Sequence, residues 1–109
     1  MDEQTYRIDE GVRRAKAAWL CGQETIAAQI DGLDEIIQVP ISVLLSPKTR
    51  IEDIGPRGGS WGTIYRMTQR GAALPPIVIV PGTFGTPIAE VEVQADELEL
   101  FRQRYWGSP

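Results

Sequence analysis

The residues with the clearest chemical potential are Glu10-Gly11-Val12-Arg13-Arg14, with Lys16 two positions on. A glycine lets the backbone turn sharply, and two arginines then fall in the first turn of the helix that follows. Unpaired N–H groups and the positive end of the helix dipole collect at such a start. An arginine fork grips two phosphate oxygens at once, so the chemistry of this corner is anion holding, with phosphate as the natural ligand. Asp9 and Glu10 are the carboxylates directly beside it, suited to holding a metal ion or acting as a general base, and equally to pairing with the arginines. The plain alternative for Arg13, Arg14 and Lys16 is the solvated side of an amphipathic helix, paired with Asp9, Glu10 or Glu24. A second candidate is Arg57-Gly58-Gly59-Ser60, where glycines and a capping serine form a phosphate cradle at a helix start. It lacks the spacing and lysine of a P-loop, and a surface loop needs no function to explain it.

Composition removes several classes of chemistry. The 109 residues contain no histidine, which excludes every mechanism resting on an imidazole base and most zinc sites. Fifteen acidic against eleven basic residues give a net charge of −4, the wrong sign for holding duplex DNA by broad electrostatics. Nucleic acid would have to meet a local basic patch. One cysteine, Cys21, makes no intramolecular disulfide; with no secretory leader pattern, the expected location is the cytoplasm. No apolar run approaches the roughly 20 residues of a membrane-spanning helix, so no membrane association is expected.

The elements that must position the corner follow from periodicity. Thr5 to Asp9 reads as a short strand and Glu10-Gly11 as a turn. From Val12 to Cys21, Val12, Ala15, Ala18 and Trp19 form one helical apolar stripe, ended by Gly22. Glu24 to Asp31 alternates, with Ile26, Ala28 and Ile30 on one side, as in a strand. Ile36 to Leu45 is β-branched and broken by Pro40, which predicts two short strands or one bent edge strand, closed by Ser46-Pro47. Ser60 is a helix N-cap for a second helix from Trp61 to about Arg70, with Trp61, Ile64, Tyr65 and Thr68 on one face and Gly71 as its stop. Pro75-Pro76 leads into Ile77 to Val80, a strand buried on both faces. Ile88 to Gln94 alternates Ala89, Val91 and Val93 against Glu90, Glu92 and Gln94, as a half-exposed strand does. Asp96 and Glu99 open a last helix whose apolar face is Leu98, Phe101 and Tyr105. Cys21, beside Trp19 and Leu20, reads as a neutral core thiol. Trp19, Trp61 and Tyr65 read as packing residues, with base stacking as the alternative.

This set predicts one domain over residues 1–109 with an α/β (α+β) fold, a mixed sheet and about three helices. The run Tyr6-Arg7-Ile8-Asp9-Glu10-Gly11-Val12-Arg13-Arg14-Ala15-Lys16-Ala17-Ala18, then Gly22, then Thr25-Ile26-Ala27-Ala28, resembles the second half of the ParB N-terminal/sulfiredoxin-like domain. In that family a strand enters a Gly-x-(Arg/His)-Arg phosphate box, an Ala-rich helix, a glycine and a closing strand. Val39-Pro40-Ile41, Leu44-Leu45-Ser46-Pro47, Arg50, the Trp61 helix and Pro76-Ile77-Val78-Ile79-Val80 are similar to its first half. The order is reversed, which implies a circular permutation in which Val80 precedes the Tyr6 strand in space. Residues 1–80 then form the ParB/sulfiredoxin-like core, and 81–109 an appended strand and C-terminal helix.

The resemblance implies a phosphate held by Gly11, Arg13 and Arg14 with Lys16 as neighbour; Arg50, which fits its first half, and Arg57 and Ser60 of the glycine loop are expected as further phosphate contacts. Val12 stands where sulfiredoxins carry their catalytic cysteine, so sulfiredoxin chemistry is excluded. The expected function is binding of a nucleotide or nucleic-acid phosphates. In its catalytic version, a nuclease or nucleotide hydrolase, Glu10 and Asp9 are the catalytic carboxylates and Mg²⁺ accompanies the nucleotide. The alternative is a non-catalytic protein–protein interaction module that keeps the fold, with the Ala89 to Val93 edge and the Leu98 to Trp106 helix as its surface and as the interface of a homodimer.

Overall fold

The structure is a computed structural model that describes residues 4–50 and 60–93. The strand β1 (Tyr6–Glu10) enters helix α1 (Val12–Leu20), then β2 (Thr25–Ile30), β3 (Ile36–Pro40), a short 3-10 turn (Ile41–Val43) and β4 (Leu44–Ser46). Helix α2 (Ser60–Gln69), β5 (Ile77–Pro81), β6 (Thr86–Pro87) and a second 3-10 turn (Ile88–Glu90) follow. The strands form one mixed sheet in the order β3-β2-β5-β1-β4-β6. The α+β class, mixed sheet and first two helices agree with the sequence reading. The last helix read from Asp96 lies outside the described residues.

Pairing explains how local pattern becomes a layer. Ile8 faces Ile79 across β1 and β5, and Ala28 faces Ile77 across β2 and β5. All four are at most 1% exposed. Successive side chains alternate faces, so Arg7, Ala27, Val78 and Val80 fall on the other side, where each is half-buried or exposed. The expected two-sided burial of β5 is therefore one-sided: it is central, yet only Ile77 and Ile79 are fully enclosed.

Both helices end in the same Schellman geometry. In α1, Gly22 N–H donates to Trp19 O and Gln23 N–H to Ala18 O; in α2, Gly71 N–H donates to Thr68 O and Ala72 N–H to Met67 O. Glycines with φ of 84° and 78° supply the left-handed residue that this motif requires.

Three further expectations are corrected. Of the strand expected over Ile88 to Gln94, the described residues 88–93 form none: Ile88–Glu90 is a 3-10 turn, and among them only Glu92 bridges, to Arg50; Gln94 lies outside the described residues. Ile88 and Val91, three apart, are both buried in the core while Ala89 is exposed. Docking of this turn on α1 overrides the two-residue alternation. Trp19 is 41% exposed and outside the core, whereas Ala17 is enclosed, because the buried arc of α1 centres on Ala15–Ala18. Ser60 is the first residue of α2 rather than the cap before it. Of the two alternatives for Ile36 to Leu45, the structure has the two short strands: β3 ends at Pro40 and takes the sheet edge, and β4 lies inside between β1 and β6.

Candidate functional site

The corner between β1 and α1 is built around Gly11. Its φ of 111° lies in the left-handed region, and a Cβ there would meet Ile77 Cγ2 at 2.6 Å. Only glycine satisfies both conditions. Gly11 as N-cap has no side chain to cap the helix start, and no acidic residue occupies the first turn, so the helix itself supplies no counter-charge to its positive end. Asp9 falls where the β1–β5 register shifts between Ile8 and Glu10, and it is exposed.

The basic residues have three different environments. Arg14 Nη1 donates to Pro75 O at 2.6 Å and Pro76 O at 2.9 Å, and its Nη2 lies 3.5 Å from Glu10 Oε1. The two prolines break the ladder ahead of β5, and the guanidinium takes up carbonyls that a neighbouring strand would otherwise satisfy. Lys16 is 5% exposed, with Nζ donating to Ile88 O at 3.0 Å and Ala89 O at 3.3 Å. Desolvation by burial pushes its pKa below the ordinary lysine value. Its burial corrects the reading of a wholly solvated Arg13, Arg14 and Lys16 face. Arg13 is half-buried in the first turn of α1.

The remaining candidates are placed unevenly. Because β1 and β4 are parallel, the chain leaving β4 toward exposed Arg50 emerges at the sheet end where Gly11 turns. Arg57 lies outside the described residues; the helix that Ser60 begins, α2, packs on α1. Glu10 is 72% exposed at its side chain. Among the described residues, no group of three or more acidic or cysteine side chains comes together as a metal-holding cluster. Cys21 is partly buried and packed on the core, and desolvation raises its pKa, as a neutral packing thiol requires.

One feature escapes local sequence reasoning. A cleft of about 310 Å³ opens beside the corner, between Thr25–Ala27 on one wall and Ala72–Pro75 on the other, with Arg14 and Ala18 of α1 reaching it and Gln23, Gln38 and Thr68 at its margin. Thr25 and Gln38 are joined across β2 and β3 by a 3.3 Å contact between Oγ1 and Oε1. The available sequence signal was Pro75-Pro76, which cannot donate to a sheet and so delays the start of β5.

Among the described residues, no helix is long and apolar enough to cross a membrane. No family model matches the chain, and no curated protein or solved structure matches it either.

Proposed function

We propose that this chain is a phosphate-ligand domain that holds a nucleotide, or the phosphates of a nucleic acid, at the Gly11-Val12-Arg13-Arg14 corner. The observation that carries the reading is the uncapped start of α1 behind a left-handed Gly11 whose Cβ space is already filled by Ile77. A bound anion would complete the N–H groups of the first turn, with Arg13 as the side chain that reaches it. Arg14 and Lys16 contribute by shape: one anchors Pro75 and Pro76, the other anchors Ile88 and Ala89.

The ParB/sulfiredoxin-like fold in permuted order belongs to the same proposal. Supporting it, the end of β5 and the start of β1 run antiparallel side by side. Gly82 N–H donates to Thr5 O at 3.2 Å, and Thr5 Oγ1 donates to Gly82 O. A short hairpin would join them in the unpermuted order. The reading is one of binding; exposed Asp9 and Glu10 remain the residues to substitute should hydrolysis be measured.

The test is thermal stabilisation by ATP, CTP, GTP, ADP and a short single-stranded DNA, with and without Mg²⁺. Ligand at 100 times its Kd stabilises by about 2.7 kcal/mol, and the shift should disappear in Arg13→Ala. Arg14→Ala is the less direct probe, since it also releases the Pro75 and Pro76 carbonyls. Absence of a shift with every ligand overturns the proposal in favour of an interaction module, for which Leu33, Ile36 and Phe84, at 55%, 58% and 85% exposure, offer apolar contacts.

A further inference from the structure

Strand β2 is paired on both sides only at Ala28 and Gln29. β3 runs beside Thr25–Gln29, whereas β5 begins opposite Ala28. The chain ahead of β5 is Pro75-Pro76, which has no N–H to offer a ladder, so Thr25–Ala27 keep a backbone edge that β5 does not cover. The 310 Å³ cleft occupies that gap. β5 is antiparallel to β1 and parallel to β2, so the end of β1, where Gly11 turns, lies at the end of the sheet where β5 and β2 begin. Arg14, in the first turn of α1, lines the cleft.

We infer that this cleft is the base subsite of a mononucleotide whose phosphate sits at the start of α1, an inference that rests on the phosphate-ligand reading. Among the described residues the lining contains no carboxylate, and the one cation among them, Arg14, is already engaged by the Pro75 and Pro76 carbonyls and Glu10. The group that enters is therefore neutral. Alanine methyls from α1, β2 and the chain after α2 provide flat apolar contact. The Gln23 amide offers donor and acceptor, the Gln38 amide its donor nitrogen, and the Thr25 hydroxyl, which donates to Gln38 Oε1, an acceptor, beside a strand edge that alternates N–H and C=O. A mixed donor and acceptor perimeter around a planar apolar body is what a nucleobase presents. The volume is at the small end of the ~300–1,000 Å³ range of small-molecule sites, enough for one base and its sugar and not for a stretch of polymer.

The experiment titrates the full chain with inorganic tripolyphosphate, with the four ribonucleoside triphosphates, and with the free nucleosides, following heat and backbone amide resonances. Gln38→Leu with Thr25→Val removes the polar margin, and Ala73→Trp fills the cleft; all three positions are exposed. The preferred triphosphate should bind about tenfold tighter than tripolyphosphate, the sum of two or three hydrogen bonds. Either variant should erase that margin and leave tripolyphosphate binding unchanged. Nucleosides should move the amides of Ile26, Ala27 and Ala73. Tripolyphosphate binding with no preference for any triphosphate, or a preference that survives both variants, overturns the base subsite and leaves the phosphate corner standing. Nucleosides that move these amides in a chain that ignores tripolyphosphate support the cleft and overturn the corner. Failure of both probes overturns both.

Discussion

The two ends of α1 each carry a glycine with positive φ, and they are not equivalent. Gly11, at 111°, has Ile77 inside the space a Cβ would take; Gly22, at 84°, has nothing within 4 Å. The first is required by its surroundings as well as by its backbone, the second by its backbone alone. The difference teaches where the fold concentrates its constraint. The N-terminal corner is pressed against the sheet, so its N–H groups are held in place, while the C-terminal end is an ordinary Schellman stop that any protein of this size can build.

Substitution of both glycines breaks the comparison most directly. Gly11→Ala combines left-handed strain with a clash on Ile77 and should cost about 2–4 kcal/mol. Gly22→Ala should cost about 1 kcal/mol from backbone strain. Chemical denaturation of both variants measures the two costs, and equal losses would show that Ile77 yields and that the corner is softer than described.

The next effect concerns Lys16, about one turn from either end of α1. Lys16→Met keeps the stem and removes the ammonium, leaving the Ile88 and Ala89 carbonyls without this donor, at about 1–3 kcal/mol. The pH dependence sharpens it. A lysine whose folded pKa is depressed binds fewer protons folded than unfolded, so its contribution to stability rises with pH from the folded pKa up to the ordinary value of about 10.4. Cys21, with a raised pKa, acts in the opposite sense above about pH 8.5. The stability difference between wild type and Lys16→Met isolates the lysine and should widen in favour of wild type through this alkaline window; a flat difference would mean the ammonium is not desolvated.

The smallest expected effect concerns Arg14. Arg14→Ala should lose about 1–2 kcal/mol in denaturation through the released Pro75 and Pro76 carbonyls. An unchanged midpoint would show that these carbonyls are satisfied without the guanidinium.

How much was legible follows from the range of each interaction. The β1–α1 corner, Gly22 as helix stop, and the extent of α2 all depend on residues within a few positions of one another, and sequence spacing alone located them. The same is true of Gly11 and the basic residues as a cluster. Their division of labour was not legible, because Arg14 is bound by residues 61 and 62 positions away and Lys16 by residues 72 and 73 away.

Sequence by itself determined the α+β character, the absence of imidazole chemistry and the place of the Gly11 corner with its arginines, since these rest on composition and on short-range periodicity. Tertiary structure alone decided that Ile88–Val91 closes the core as a turn, that β5 sits between β1 and β2, and that Thr25 and Ala73 face one cleft. Each of these depends on which distant strand supplies the next hydrogen-bond partner. Alternation in a sequence encodes the faces of a strand and carries no record of its neighbours.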